Sequence, residues 1–444
     1  MKPYQIFNRN FKLKNIKKVF ETDIRNKPSV GIDGITIKTF EKKLDIEMDI
    51  IHKKITNKTY SFSFYKEKLI SKGRAKYPRV ISIPTIRDKI VLKLIFNTLS
   101  DIFSKEVSNE LVHTTTNNII KDINSKKYDS FIKLDMENFY PSLNHDILLT
   151  KIKKKSRKKE FISLLEHAIK QETVQKSNPK KDKYKNEKGV PQGLSISSIL
   201  SSIYLIEFDK KYSLATNYKY YRYVDDILIL CIESDINKIV EDIESDINSL
   251  KLKMHVLNEN KHKSASGKLD ERFYFLGYFY DRNLVSVRES SKNNLHNSII
   301  NIFTQYKHSK SKNIELLYWK LNLKITGCKF EEKKYGWLYF FSQINDEKLL
   351  FKLDRFVSNM FKKFHIEYDK KRVKRFVRTY YEILKNRSKT NYIPDFSILE
   401  KDERKEILEN VFGRRGLPEY KIDYIFSKII YKNIKDMEKD IQRY

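Results

Sequence analysis

Two adjacent carboxylates, Asp225 and Asp226, lie in the middle of the apolar segment YRYVDDILIL, residues 221–230. Like charges this close repel each other, so the pair needs solvent, a salt bridge or a metal ion. Most Asp pairs belong to solvated turns. Here apolar residues alternate on both sides of the pair, which predicts the tip of a β-hairpin buried on both faces. An unpaired charge is expensive at the edge of a core.

A third carboxylate strengthens the case for a metal. Asp135 ends the apolar, strand-like segment SFIKLDM, residues 130–136. Three acids that converge from two strand ends repel one another unless hard cations bind between them. Mg²⁺ prefers a few carboxylates, keeps some waters and takes substrate phosphates as its other ligands. Two such ions about 4 Å apart can activate an attacking hydroxyl and stabilise a leaving pyrophosphate.

The elements around these acids follow from hydrophobic periodicity and turn residues. Residues 151–188 are rich in lysine, and their second half is expected to be an exposed loop. A glycine-proline loop is expected to open onto a helix within residues 189–208, and everything beyond about residue 290 is expected to be helical. The pattern predicts helices over 37–55, 85–103 and 234–250, and strands over 60–70, 79–84, 130–136, 253–257 and 273–280.

The composition indicates a polyanionic partner. The 444 residues include 89 Lys plus Arg against 57 Asp plus Glu, a net charge of +32. Nucleic acid is the first candidate and an anionic membrane surface the second. No apolar run approaches the ~20 residues of a spanning helix, which disfavours a membrane protein. Two cysteines form neither a disulfide framework nor a cysteine-rich zinc site, so a cytoplasmic protein is expected.

Several segments resemble the palm motifs of a reverse transcriptase, in the same order. They are KLDMENFYPSL, GVPQGLSISSILSSIYL, YVDDILIL, LNENK and YFLGY. Upstream, GIDGITIKTF and RVISIPTIRDKIV resemble the N-terminal and fingers blocks of the group II intron lineage. The resemblance implies an α+β right-hand polymerase with fingers, palm, thumb and a C-terminal α-helical domain. It places fingers and palm in residues 1–282, a helical thumb in 283–360 and a basic helical extension in 361–444.

The resemblance implies a metal-binding role for each of the three acids. Asp135 and Asp225 correspond to the carboxylates that bridge two Mg²⁺ ions, for which Mn²⁺ is a substitute. Asp226 corresponds to the supporting acid, and the backbone carbonyl of Met136 completes a metal site. The implied activity is RNA-directed DNA polymerisation.

Substrate contacts are implied in the same way. Tyr140 occupies the position of the aromatic residue that excludes a 2′-hydroxyl, so the site is expected to select dNTPs. A core role is the alternative for Tyr140, although Phe139 suits that role better. Arg79 matches the residue that grips the triphosphate, and a solvated arginine is its alternative. The remaining implied contacts are Gln192 and Gly193 against base and template, Lys261 near the triphosphate, and Phe275, Leu276, Gly277 and Tyr278 at the primer's 3′ end.

Lys261 also has an alternative, since it is one of many lysines. A packed aromatic strand is the alternative for residues 275–278. For Gly193, the missing side chain is expected to permit a close backbone approach.

The last ~165 residues determine the subfamily. LNLKITG, YGWLYFFSQIND, LLFKLDRFV and KRFVRTYYEI resemble the C-terminal part of bacterial defence-associated reverse transcriptases, which include the abortive-infection enzymes and the so-called unknown group. No RNase H acids or His-Cys nuclease cluster are evident in the sequence. Basic residues alternate with apolar ones over 371–381, which predicts a helix with a cationic stripe suited to an RNA backbone or to solvent.

The preferred hypothesis is a polymerase that copies a structured non-coding RNA into cDNA during antiphage defence. Its partners are then an RNA template, dNTPs and the DNA product, and a homo-oligomer stays open. The alternatives are a stand-alone group II intron maturase, a retron-type reverse transcriptase and a catalytically idle RNA-binding scaffold. The presence of Asp135, Asp225 and Asp226 together disfavours the scaffold.

Overall fold

The computed structural model describes residues 1–26, 29–71, 77–107, 110–177, 186–386 and 390–441. The chain forms two compact units. The first comprises Met1–Asn109 and Lys127–Gly267, and the second comprises Glu110–Lys126 and Lys268–Tyr444. The domain boundaries at residues 282 and 360 stay predictions. The exposed loop expected within 151–188 falls partly on residues 178–185, which lie outside the described residues.

Most of the described chain is helical. Two short π-helical segments, Phe20–Ile24 and Ile407–Val411, and one 3₁₀ turn, Glu233–Asp235, accompany the α-helices. The α-helices are α1 Pro3–Asn10, α2 Leu13–Val19, α3 Ile37–Glu41, α4 Leu44–Thr56, α5 Ile86–Ile102, α6 Val112–Asn124, α7 Phe139–Ser142, α8 His145–Lys155, α9 Lys159–Lys170, α10 Ser197–Tyr204, α11 Ile206–Ser213, α12 Ile236–Ser249, α13 Glu289–His308, α14 Ile314–Thr326, α15 Trp337–Phe340, α16 Glu347–Lys363, α17 Phe376–Lys385, α18 Lys401–Glu406 and α19 Glu419–Ile441.

Within the described residues, the strands form four small sheets. Their orders are β5-β6-β3-β7, β2-β1-β4, β10-β9-β8 and β11-β12. The first two sheets belong to the first unit, apart from the final residue of β7, and the other two to the second unit. The strands are β1 Tyr65–Ile70, β2 Arg79–Ile83, β3 Ser130–Asp135, β4 Thr173–Val174, β5 Lys219–Tyr223, β6 Asp226–Cys231, β7 Ala265–Lys268, β8 Phe273–Phe275, β9 Tyr278–Asp281, β10 Leu284–Val287, β11 Cys328–Phe330 and β12 Lys333–Tyr335.

The central strands of the first unit are the most buried. Every residue of β3 is buried, and β6 is buried from Ile227 to Cys231. Strand β5 is half exposed because it lies at the sheet edge. The prediction of a hairpin buried on both faces is therefore right for β6 and wrong for β5. Alternation within a hairpin does not say which of its strands has a neighbour on the other side.

Helix α5 shows why the sequence folds as it does in the first unit. Thr85 begins it, and its side-chain oxygen accepts a hydrogen bond from the Asp88 N–H at 3.2 Å. This N-cap satisfies a backbone donor that the first turn leaves without a partner. Apolar residues such as Ile90, Leu92 and Ile95 point in several directions from the helix, and all of them are buried. The prediction of a buried helix over 85–103 is confirmed.

The second unit is helical with two small antiparallel sheets. The β11-β12 hairpin corrects the prediction that everything beyond residue 290 is helical. It depends on Gly327 and Gly336, since a Cβ on Gly327 would lie 2.1 Å from the Tyr335 carbonyl oxygen. The helix predicted over 371–381 is wrong for its first half, because helix α17 begins only at Phe376 and the basic residues of 371–375 precede it. The strand predicted over 253–257 is also wrong, because only a single bridge forms there, between Met136 and Met254.

The predicted fold class, α+β with a helical C-terminal part, is confirmed. Strand β1 pairs with β2 in antiparallel and with β4 in parallel orientation. The four-stranded sheet of order β5-β6-β3-β7 carries Asp135 and Asp226 at strand ends and Asp225 in the adjoining turn. No helix in the described part of the chain is long and apolar enough to cross a membrane.

Candidate active site

The three acids Asp135, Asp225 and Asp226, which were predicted to converge, lie together at one end of the β5-β6-β3-β7 sheet. Asp135 is the last residue of β3 and Asp226 is the first residue of β6. The two are direct partners in the antiparallel register of these strands. The Met136 N–H donates to the Asp225 carbonyl oxygen at 3.3 Å, which extends the contact past the end of β3.

A strained turn presents Asp225. Tyr223 pairs with Asp226, so Val224 and Asp225 form a two-residue turn between β5 and β6. Val224 has φ of 59°, a left-handed conformation that is unfavourable for a β-branched residue. Glycine is the usual residue where a hairpin turn needs a positive φ. Strain of this kind is concentrated at functional sites, where the surrounding structure must hold it in place.

Arg222 supplies that support. Its Nη1 donates to the Val224 carbonyl oxygen at 2.8 Å, and its Nε donates to Asp209 Oδ1 at 2.6 Å. A second contact to Asp209 Oδ2 makes the ion pair bidentate. The Arg222 side chain is only 9% exposed. Sequence reasoning missed this pair, because nothing in the chain signals that α11 packs beside β5.

The electrostatics of the site are those of crowded carboxylates. Burial raises the pKa of Asp225 to about 6, and the negative charges of Asp226 and Asp135 act in the same direction. Lys263 opposes this shift. A carboxyl whose charged form is disfavoured in this way gains from a cation placed beside it.

Two basic residues that the sequence did not single out contact Asp135. Lys263 Nζ lies 2.7 Å from Asp135 Oδ2, and His255 Nε2 lies 3.9 Å from Asp135 Oδ1. The His255 N–H also donates to the Asp135 carbonyl oxygen at 3.0 Å. Lys261, which the motif LNENK suggested, is exposed in a turn. In the sequence, the only feature that could have pointed to Lys263 is its position two residues after Lys261.

The turn that carries these lysines is tied to β3. Lys133 Nζ donates to the His262 carbonyl oxygen at 2.7 Å, and the Asp135 N–H donates to Ser264 Oγ at 3.2 Å. Lys133 is a charged residue on a buried strand, and this contact satisfies its ammonium. The contacts fix the position of Lys263 next to the acids.

The donor set suits a hard divalent cation. Asp135, Asp225 and Asp226 offer only carboxylate oxygens, which Mg²⁺ and Mn²⁺ accept and which soft metals do not prefer. Among the described residues, no group of three His, Cys, Asp or Glu side chains is already arranged around a metal position. The Lys263 ammonium occupies one carboxylate oxygen of Asp135, so a cation that binds this oxygen would compete with the lysine.

Tyr140 lies within the same electrostatic environment. It belongs to α7, which follows Asn138 in a left-handed conformation with φ of 45°. Burial raises the pKa of Tyr140, a hydrogen bond with Ser201 opposes the shift, and the charge of Asp225 adds to it. Tyr140 is half-buried, whereas Phe139 is packed in the core.

A network of backbone bonds holds the loop of Gln192 and Gly193. The Ser82 N–H donates to the Gln192 carbonyl oxygen at 2.7 Å, and the Val190 N–H donates to the Tyr140 carbonyl oxygen at 2.9 Å. A Cβ on Gly193 would lie 2.6 Å from Ile81 Cγ2, and Gly193 has φ of 96°. Gly193 therefore packs closely against strand β2, and the expected approach of its backbone to a base or template stays a prediction.

Arg79 and Gln192 line one cleft of ≈ 1140 Å³. Asn138 and Pro141, on either side of Tyr140, line it too. Arg79 is the first residue of β2, and its charge acts on the Tyr140 hydroxyl. Strand β2, the segment around Tyr140 and the loop of residues 186–192 therefore line the same cleft.

Residues 275–278 belong to the second unit. Phe275 and Tyr278 pair across β8 and β9, and Leu276 and Gly277 form the turn between them with φ of 55° and 83°. The rings of Phe275 and Tyr278 are buried, and the Tyr278 hydroxyl donates to the Phe340 carbonyl oxygen at 2.6 Å. Any contact with a ligand here would therefore involve the backbone of the turn.

Comparisons with known proteins agree with the motifs. Residues 66–280 match the family described as reverse transcriptase (RNA-dependent DNA polymerase). The match covers just under half of the chain. Protein YkfC of Escherichia coli is 26% identical over 191 residues, which cover 40% of this chain and 49% of YkfC. The COX1/OXI3 intron 2 protein of Saccharomyces cerevisiae is 27% identical over 190 residues, which cover 41% of this chain and 21% of that protein.

Solved structures of telomerase align with much of this chain. The telomerase of Candida albicans in complex with a fragment of telomeric RNA aligns over 90% of this chain and 67% of its own, with a TM-score of 0.45 and 16% identity. The apo telomerase of Candida tropicalis aligns over 98% of this chain and 82% of its own, with a TM-score of 0.44 and 13% identity. Likeness at this level identifies no activity.

Proposed function

We propose that the protein is an RNA-directed DNA polymerase. The observation that carries the proposal is the register of Asp135 against Asp226, with Asp225 in the turn beside them, inside the region that matches the reverse transcriptase family. The chain spans about half of YkfC and a fifth of the intron 2 protein, so the activity of the whole protein is part of the proposal.

The chain's own residues have separate roles in this proposal. Asp135 and Asp225 hold the two divalent ions, Asp226 supports them, and the Met136 carbonyl oxygen completes one site. When bound, Mg²⁺ or Mn²⁺ lowers the pKa of the primer's 3′-hydroxyl and neutralises the leaving pyrophosphate.

The cleft residues select and orient the nucleotide. The Tyr140 ring excludes a 2′-hydroxyl at the sugar. Arg79 binds the triphosphate as a guanidinium suited to bidentate contact with phosphate oxygens. Gln192 and Gly193 lie against the incoming base and the template. Their loop is fixed to β2 by the bond from Ser82, which supports a preformed site.

Two lysines are candidates for a contact with the triphosphate. Lys261 was selected from the motif, while Lys263 is placed beside Asp135. In the second unit, the backbone of residues 275–278 is the candidate for the primer contact. The predicted division into fingers and palm, thumb and C-terminal extension is part of the same proposal.

Primer extension tests the activity. The purified chain, given an RNA template, an annealed DNA primer, dNTPs and Mg²⁺, is expected to extend the primer. The same protein with Asp225→Asn and Asp226→Asn is expected to bind the RNA and not to extend it. Full extension by this double variant would contradict the two-metal assignment.

The template and the biological role form a second, finer proposal. We infer that the template is a structured non-coding RNA encoded beside the gene and that cDNA synthesis serves antiphage defence in the cytoplasm. The resemblance of the C-terminal segments to defence-associated enzymes and the net charge of +32 support this. Expression of the gene with its flanking region in a bacterium is expected to reduce phage plating, and Asp225→Ala is expected to remove the protection.

A stand-alone intron maturase is the second candidate. It is favoured by the similarity to the intron 2 protein of Saccharomyces cerevisiae. Splicing of an adjacent intron RNA only in the presence of the protein would support the maturase. A retron-type enzyme would instead show itself by cDNA that remains joined to its RNA template, which sequencing of the co-purified nucleic acid detects.

A further inference from the structure

The second unit contains a cleft of ≈ 1000 Å³ between the end of α13, the start of α14 and the turn after α16. We call it the C-terminal cleft and define it by its lining residues, which lie within 306–318 and 364–372. It belongs entirely to the second unit and shares no residue with the cleft of Arg79 and Gln192.

Aromatic rings form one side of the C-terminal cleft. Tyr306, Phe364 and Tyr368 line it and are half-buried, so each ring keeps exposed surface. The ring of Tyr368 lies 5.1 Å from that of Phe361, and the ring of Phe364 lies 5.5 Å from that of Phe303. Because Phe303 and Phe361 are fully buried, the two rings are anchored to the core.

A stacked arginine continues this side. The guanidinium carbon of Arg372 lies 4.1 Å from the ring centroid of Tyr318, and Arg372 Nη2 lies 2.7 Å from Glu315 Oε2. Tyr318 is held in turn by its hydroxyl, which donates to the Glu367 carbonyl oxygen at 3.3 Å. A guanidinium held over a tyrosine offers a flat surface on which a base can stack.

Positive charge surrounds these rings. The lining includes five Lys or Arg side chains and two acidic ones, Glu367 and Asp369. Asp369 is already used within the turn, since its Oδ1 accepts the Lys371 N–H at 2.8 Å. Lys307, Lys370 and Lys371 are exposed at the rim. Aromatic rings beside such a rim are the combination that binds single-stranded nucleic acid, in which bases stack and phosphates pair with cations.

We propose that the C-terminal cleft binds one unstacked nucleotide of a single-stranded RNA. The base lies against Tyr306 and Tyr368, and the adjoining phosphates lie on Lys370 and Lys371. A base within a duplex cannot reach these rings, so the site distinguishes single-stranded segments from helices. The choice of RNA rests on the proposed function, and the cleft would anchor a single-stranded segment of the template RNA.

The test uses full-length protein with Asp225→Asn and no dNTPs, so that binding is measured without polymerisation. The probe is a short unstructured RNA that carries one 4-thiouridine. Irradiation is expected to cross-link it to Tyr306, Phe364 or Tyr368, as identified by mass spectrometry. The same RNA annealed to its complement is expected to give no cross-link there.

Matched variants measure the contributions of ring and charge. Tyr306→Leu is expected to weaken binding of the probe at least about fivefold, because a leucine cannot stack on a base. Lys370→Ala with Lys371→Ala is expected to reduce the slope of log K against log salt by about 0.7 for each phosphate that is no longer neutralised. The controls are Tyr420→Leu, at an exposed tyrosine of α19, and Lys348→Ala with Lys352→Ala, at exposed lysines of α16.

Two results would overturn the proposal. One is a set of cross-links confined to residues outside the C-terminal cleft. The other is binding by Tyr306→Leu and by the Lys370 and Lys371 variant that equals binding by their controls, with melting temperatures unchanged in all four. Primer extension is measured separately on protein with Asp225 intact, so failure of the polymerase proposal is distinguished from failure of this one.

Discussion

The ammonium of Lys263 lies 2.7 Å from the Asp135 carboxylate, at the position where the proposed function requires a divalent cation. The residues are 128 positions apart, and the turn that presents Lys263 is fixed to β3 through Lys133 and Ser264. An ion pair at a proposed metal position implies competition between the lysine and the metal.

Lys263→Met is expected to lower the Mg²⁺ concentration needed for half-maximal primer extension by roughly tenfold or more, because the variant removes a charge that competes with the metal. Metal titration of the extension rate measures this. Lys238→Met, at an exposed lysine of α12, is the control, and its midpoint is expected to stay near that of the wild type. Equal shifts in the two variants would contradict a specific role for Lys263.

Asp225→Asn is expected to abolish activity while raising stability. Partners that merely support metal ligands cost ~10–100-fold when removed, so loss of a ligand is expected to exceed ~100-fold in extension rate. Burial raises the pKa of Asp225 to about 6, so its charged form is disfavoured in the folded protein at neutral pH. The neutral amide is therefore expected to add up to roughly 3 kcal/mol to the free energy of unfolding in the absence of metal. Chemical denaturation with EDTA present measures this, and a lower stability would show that the carboxylate is well paired.

Tyr140→Val is expected to raise incorporation of rNTPs relative to dNTPs by roughly 10- to 200-fold, the range that one group in a pocket supplies. Single-nucleotide extension with each substrate measures the ratio. Phe139→Val is the matched control, because Phe139 is buried in the core. It is expected to lower the free energy of unfolding without changing the ratio. An unchanged ratio in Tyr140→Val would assign discrimination to another residue.

Asp88 is expected to make stability depend on pH. It is buried and accepts bonds from the Tyr60 hydroxyl at 2.8 Å, the Thr85 hydroxyl at 2.7 Å and the Ser63 N–H at 3.2 Å. Burial nevertheless raises the pKa of Asp88 to about 6. An acid whose pKa is raised on folding binds its proton more tightly in the folded state, so its contribution is greatest at low pH and is lost as the pH rises through the folded pKa.

The difference in free energy of unfolding between wild type and Asp88→Ala is therefore expected to fall by roughly 2 kcal/mol between about pH 4 and pH 6. Denaturant titrations at several pH values measure it. Taking the difference removes contributions from other groups, including Asp225. A difference that is flat in pH would mean that Asp88 titrates equally in the folded and unfolded states.

Lys324 and Asp440 form a buried ion pair in the second unit. Lys324 Nζ lies 2.6 Å from Asp440 Oδ2, and Ser298 Oγ donates to Asp440 Oδ1 at 2.6 Å. Lys324→Met is expected to lower the free energy of unfolding by about 3–5 kcal/mol, because it leaves a buried carboxylate without its partner. Lys324→Met combined with Asp440→Leu is expected to recover most of this loss. Equal destabilisation in the single and double variants would indicate that packing, and not charge, is responsible.

Elements and residues with local signals in the chain could be predicted before the structure was known. The apolar strand before Asp135 and the alternation around Asp225 predict a metal site at two strand ends, and the structure brings these acids together. The buried helix over 85–103 was predictable for the same reason, since hydrophobic periodicity is a property of a short segment.

Which distant residues act on those segments depends on the tertiary structure. It placed Lys263 on Asp135, paired Arg222 with Asp209 under the strained Val224, and left β5 at a sheet edge. It also combined two separate segments into the C-terminal cleft. On a chain with 89 Lys and Arg, composition cannot select the one lysine that meets a given carboxylate. That selection depends on packing between segments far apart in sequence, where side-chain periodicity carries no information.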